Sequence, residues 1–484
     1  MGPRIIIELP SRMLVPNQSD IVQIEAHAAN RFIIPRTRMY STNGLLPGQG
    51  ISKRWKWNTL LVHTPQSTEG VIIIHALDTL QREKVEGEWF RHLPAHVGHT
   101  RALDLSIKAL VAACAYAQDI PKLTSGDCYQ TLALALSAVQ ASMNQSHGEL
   151  SDDLLASAAL LAPFEGVLKK HGVPTCLHVE GLAAILTARP ARYPVTQLAR
   201  EIFDFYACDS AVMACIQGAP SPFESVSQEY YANNRIVCSD GDRAQLKALG
   251  SELFVRIPRL VGLVRALRSY SSPQNQLLRN AFSLSKSLLR LQDPQAEGRL
   301  LSNINCYPPS DQDVTSSLSQ SLYFASVDEF EALAYYWQNR LTLLRLEQRL
   351  HDLAESGNRQ ANNITDDPRD SILPSFGPRA NEVHRLVKNI LMCGKYARTL
   401  SLRKHGRLLS YAMVIVWGVM MDMPMTLAHS KDSEGADPLT ALLLRNVNTA
   451  LSAKPHLTGE DMDMAADIFI GGQPKGRFVK LYGL

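Results

Sequence analysis

The side chains best suited to chemistry are histidines, and their spacing points first to a metal. His92, His96 and His99 follow one another at steps of four and three. On an unbroken helix such steps turn three imidazoles to one side, as zinc ligands can be arranged. Pro94 lies inside the segment and disfavours an unbroken helix there. No neighbouring carboxylate or cysteine completes the set, so a further ligand would have to come from a distance. The expectation is that these histidines cap the following helix or satisfy buried backbone groups, with no metal residue assigned. A second group, His147, His171 and His178, lies near Glu165, Cys176 and Glu180. A cysteine and a histidine can act as nucleophile and base. Cys176 and His178 stand two apart, however, which on a helix sends them to different faces. No catalytic residue is assigned.

Other motifs are thin. The chain has no G-x-S-x-G, no P-loop and no H-E-x-x-H, and the G-x-G of Gly48 and Gly50 lacks its third glycine. No cofactor is expected, no cofactor-binding residue is assigned, and the chain is read as not an enzyme. Met420, Met421, Met423 and Met425 after Trp417 suit an adaptable pocket, but core packing is the default. Lys53-Arg54-Trp55-Lys56 mixes stacking and phosphate-pairing groups and could touch nucleic acid or serve nuclear import. A solvated basic run is the commoner meaning, and direct DNA contact is not expected.

Composition sets the frame for these residues. The 484-residue chain is 45% hydrophobic and 20% charged, with a net charge of +3, so it has no chain-wide field to draw in nucleic acid. Eight cysteines form no C-x-x-C pair. Cys208 and Cys215 stand about two helical turns, or about 11 Å, apart, too far for a disulfide. Reduced core thiols are expected, as in the cytoplasm or nucleus. The N-terminus has no uninterrupted apolar run of the secretory kind. Tyr411–Met421 is apolar, but a bilayer span needs about 20 residues. A soluble protein without membrane contact is expected.

Periodicity supplies the positioning elements, and it is helical from about residue 85. Residues 1–80 read as an irregular basic N-terminal extension. In the first 60, Arg4, Arg12, Arg31, Arg36, Arg38, Lys53, Arg54 and Lys56 face only Glu8, Asp20 and Glu25. Val71–Ile74 fits a short strand or a helix start equally well. Thr100 is a candidate cap before a stripe of Leu103, Ile107, Leu110, Val111 and Cys114. A second stripe is Tyr129, Leu132, Leu136, Val139 and Met143. Ser151 caps the next segment, with Asp152 and Asp153 suited to its helix dipole. Leu198, Ile202, Phe205, Val212 and Ile216 mark a longer helix ended by Gly218. Ser326 and Glu329 form a capping box before Phe330, Leu333, Trp337, Leu341 and Leu344. Val383, Leu386, Ile390 and Cys393 form another stripe. Residues 218–243, 303–320 and 355–380 read as breaks, the last as a mobile loop.

Four segments resemble the fungal-specific transcription factor domain, the helical regulatory region of zinc-cluster regulators. They are Leu93–Asp104 with its Gly-His-Thr and Ala-Leu-Asp, the Leu/Ala-rich Leu154–Glu165, His178–Leu186 with its His-x-x-Gly, and Tyr335–Leu341 with Tyr-Trp-x-x-Arg-Leu. Their order is similar to the family's across residues 85–350, and more loosely to about 430. Gly181, inside the third segment, costs about 1 kcal/mol relative to Ala and is expected where another backbone comes close. Pro163 should kink or end the second segment. The family's zinc cluster needs six cysteines, and none precedes Cys114.

The resemblance implies an all-α, multi-helical array over residues 81–484. It implies a nuclear transcriptional regulator or co-regulator of fungal type, controlling a metabolic or secondary-metabolite gene cluster without its own zinc module. The implied partners are other transcription proteins or a DNA-binding partner; a small-molecule effector and a homodimer are also considered. One alternative is a chain whose zinc module lies upstream. Another is a small-molecule-binding protein or unusual enzyme on the same helical fold, with His178, Glu165 or Asp209 in a cavity.

Overall fold

The structure is a computed structural model of the chain. It describes residues 88–476 except 118–122, 146–149, 165–166, 168–175, 190–195, 227–240, 271–274, 308–319, 363–376, 398, 401, 423–442 and 449–455. The 1–80 extension, with the Lys53–Lys56 patch, Gly48, Gly50 and Val71–Ile74, lies outside the described residues, as do His147, Glu165, His171, Met423 and Met425.

Among the described residues the chain is helical apart from two short strands, as the stripes require. Where the sequence suggests a single helical region over 81–484, the contacts divide it into two compact units, 1–174 and 175–484.

In the first unit a 3-10 helix, Glu88–Ala95, precedes α1 (Arg101–Ala117), α2 (Ser125–Gln145) and α3 (Asp152–Leu161). α1 packs on both α2 and α3. Thr100 accepts the Leu103 amide at 3.4 Å and Ser151 accepts that of Leu154 at 3.3 Å, so both expected caps form. α3 stops at Leu161, just before Pro163. On α2 the buried face centres on Cys128, Leu132, Ala135 and Val139, while Tyr129, Leu136 and Met143 flank it half-buried. The stripe of large residues is turned to one side of this face because small Cys and Ala carry little weight in a hydrophobic pattern, although they allow close helix contact.

The second unit holds α4 (Cys176–Ala188), α5 (Gln197–Gln217), α6 (Gly241–Ser269), α7 (Asn275–Leu289) and α8 (Pro294–Ser302). A two-stranded antiparallel ribbon follows, β1 (Asn305–Tyr307) with β2 (Ser321–Tyr323), in register Cys306 opposite Leu322. Then come α9 (Val327–Asn362), α10 (Gly377–Met392), the short α11 (Gly394–Ala397), α12 (Leu402–Asp422) and α13 (Gly459–Phe469). α9 is the central helix, packed on α6, α7, α10 and α12. Phe330, Leu333, Trp337, Leu341 and Leu344 are all fully buried on it, and Val383, Leu386 and Ile390 of α10, with Cys393 just past its end, share the same core.

Four expectations need correction. α9 continues to Asn362, so the first part of the 355–380 loop is helical. The 303–320 break contains β1, and α6 begins at Gly241, inside the 218–243 break. Among the described residues a Cβ at Gly181 would meet nothing within 4 Å, so none of their backbone comes close there. Close backbone approaches occur elsewhere, among them at Gly250, where a Cβ would stand 3.0 Å from the Tyr336 nitrogen, and at Gly262, where it would stand 2.5 Å from the Gly218 oxygen. Both lie on α6, where glycine lets the helix come close to its neighbours.

Candidate functional site

The His92–His99 segment forms a site of a different kind from the helical cluster its spacing suggests. The 3-10 helix ends at Ala95, and residues 96–99 form a turn. The His96 amide bonds the Leu93 carbonyl at 2.9 Å, and the His99 amide bonds that of His96 at 3.2 Å. Gly98 sits at φ 83°, a left-handed conformation that glycine adopts at little cost. Its amide donates to Asp104 Oδ1 at 3.0 Å, which ties the turn to the first turn of α1. This backbone reversal brings His96 and His99 within 5.7 Å of one another, ring to ring.

The carboxylate missing from the local sequence arrives from α3. Asp153, largely buried in the first turn of that helix, places Oδ1 2.6 Å from His96 Nδ1. Its other oxygen lies 4.0 Å from His99 Nδ1. Its backbone carbonyl accepts from Ser157 Oγ at 2.6 Å. The hydrogen bond to Asp153 holds the His96 pKa above its ordinary value; burial opposes this, and the charges of Asp153 and Asp152 reinforce it. His92 stands apart and accepts from Arg91 Nε at 3.4 Å. Two of the three histidines therefore share a cluster, and its third member, Asp153, is 54 residues beyond His99. No local pattern could have found Asp153, because its aspartate reads simply as a first-turn dipole residue.

The second histidine group lies largely outside the described residues. Cys176 and His178 lie on α4, Glu180 is exposed on the same helix, and Asp209 is exposed on α5. Trp417 is buried and donates Nε1 to Asp463 Oδ1 at 2.7 Å, so it ties α12 to α13, while Met421 is exposed.

The second unit contains a buried polar frame that sequence inspection missed. Glu297 on α8 accepts Trp337 Nε1 at 2.7 Å and pairs with Arg385 of α10. Arg340 donates to Glu382 at 2.8 Å, to the Leu289 carbonyl at 2.8 Å and to Gln292 at 2.8 Å. Thr342 and Tyr411 share a buried hydrogen bond of 3.1 Å, and burial holds the tyrosine well above its usual pKa. Arg265 donates to the last carbonyls of α5, Ile216 at 2.9 Å and Cys215 at 2.7 Å. The Trp337, Arg340 and Thr342 contacts tie α9 to its neighbours, and Arg265 ties α6 to the end of α5, which is a structural role.

Comparison of the chain with family models, with curated proteins and with solved structures finds no match. No described helix is long and apolar enough to cross a membrane.

Proposed function

We propose that the chain is a transcriptional regulator or co-regulator of the fungal type. In this reading it works in the nucleus through protein contacts or a small-molecule effector, and it controls a metabolic gene cluster. The observation that supports it is the placement of the four segments resembling that family. Each lies where a helical scaffold is assembled. Leu93–Asp104 makes the turn into α1 and buries Leu103 fully. Leu154, Leu155, Leu160 and Leu161 are buried on α3, Leu182, Ile185 and Leu186 on α4, and Tyr336, Trp337 and Leu341 on α9. Residues of this kind maintain a framework that presents a surface to a partner.

The test is a reporter assay with the full chain fused to a foreign DNA-binding domain, together with imaging of its location. Activation or repression above the DNA-binding domain alone, with nuclear accumulation, is expected. A fusion that leaves transcription unchanged, in a chain kept out of the nucleus, refutes the proposal.

A further inference from the structure

We propose that His96, His99 and Asp153 form a site for one divalent first-row transition cation, zinc being the natural probe. One donor atom from each residue lies within 4.8 Å of the others. Bonds of about 2.0–2.1 Å in a tetrahedral set place ligand atoms about 3.3 Å apart. The His96–Asp153 pair, at 2.6 Å, must open slightly, and the His99 ring must move inward by roughly 1.5 Å or less. His99 can do so, because its side chain is 50% exposed on a turn. The other two donors are held in place. Asp153 is fixed by the capped first turn of α3, and the His96 turn is pinned by Asp104.

The donor set selects the cation. Two imidazoles and one carboxylate suit zinc and its neighbours, whereas calcium and magnesium take oxygen ligands. Three protein ligands leave a fourth position, and the exposed His99 side lets water or a partner's side chain fill it. On loading, the cation replaces the proton shared by His96 Nδ1 and Asp153 Oδ1, which leaves to solvent. The bound metal then joins the 96–99 turn to α3 across the first unit. This site goes beyond the transcriptional reading and stands or falls without it.

The experiment uses the full chain, stripped with a chelator and titrated with zinc chloride against a competing indicator. Wild type is expected to bind zinc at a site that His99→Ala and Asp153→Asn each weaken tenfold or more. His99→Ala leaves the His96–Asp153 bond in place, so its fold, checked by circular dichroism, is expected to survive. His92→Ala, outside the cluster, should bind zinc like wild type. Cobalt substitution adds a spectroscopic reading: wild type should show the intense visible bands of four-coordinate cobalt, and His99→Ala should lose them. A folded wild type that binds no zinc, or binds it no more tightly than His99→Ala, overturns the proposal.

Discussion

A methyl group at Gly262 tests the packing of the second unit directly. Gly262 of α6 faces the turn that ends α5, and an alanine Cβ would stand 2.5 Å from the Gly218 carbonyl oxygen. Close carbon–oxygen contacts settle near 3.3–3.6 Å, so about 0.8 Å must be found. Gly218 is poorly able to yield. It is the left-handed cap of α5, at φ 72°, and its amide bonds the carbonyls of Ala214 and Cys215. Arg265, one turn along α6, holds the Cys215 and Ile216 carbonyls at 2.7 and 2.9 Å. Overpacking of this kind costs about 1–3 kcal/mol. Alanine recovers up to about 1 kcal/mol of helix propensity. Hydrogen bonds to charged groups contribute about 1.5–3 kcal/mol each, so disturbing those of Arg265 keeps the balance unfavourable. A net loss of about 1–2 kcal/mol is expected for Gly262→Ala. Gly298 supplies the control. It is exposed inside α8, and a Cβ there would meet nothing within 4 Å. Gly298→Ala should gain about 0.5–1 kcal/mol. Urea unfolding of the full chain, followed by circular dichroism and fitted for both units, measures the difference. A Gly262→Ala midpoint at or above that of wild type would refute the steric reasoning.

Two further outcomes follow from the same frame. Glu297→Ala removes the acceptor of the fully buried Trp337 Nε1 and the partner of Arg385, whose side chain is 43% exposed and can turn to water. A loss of about 2–3 kcal/mol is expected by urea unfolding, and a smaller loss for Glu297→Gln, which retains an acceptor for the indole; equal stability of all three proteins would show that the bond is idle. Thiol labelling of the native chain, read peptide by peptide by mass spectrometry, should modify the exposed Cys306 first among the described cysteines and leave Cys128, Cys215 and Cys393 until unfolding. Burial pushes the Cys128 thiol up to about 11 and those of Cys215 and Cys393 higher still, so the reactive thiolate is scarce as well as inaccessible. Native labelling of Cys393 as fast as Cys306 would contradict this.

Local signals in the chain are legible where one residue's chemistry dominates. Ser151, Thr100 and Pro163 act on their own helix ends, so their roles hold in isolation. The Ser326 cap also forms, accepting the Glu329 amide at 3.2 Å, although the Glu329 side chain bonds the Ala325 amide at 3.1 Å where a capping box would return it to Ser326. The α9 stripe was legible because its large residues are all at the core. The α2 and α5 faces were read off-centre: Phe205 and Val212 are half-buried while Phe203, Ala207 and Ala211 are buried. A pattern weighted by side-chain size misses alanines that let helices come close. The candidate site was half legible: the histidines stood out, and their carboxylate partner did not.

Sequence alone determined the all-α class, several helix ends and the buried face of the central helix, since these follow from the period of apolar residues and from capping groups within a few positions. Tertiary structure decided the division at residue 174, which glycines are pressed by a neighbouring backbone, and that Asp153 meets His96 and His99. Such facts depend on how helices distant in the chain pack together, and side-chain contacts across that distance leave no periodic trace in either partner.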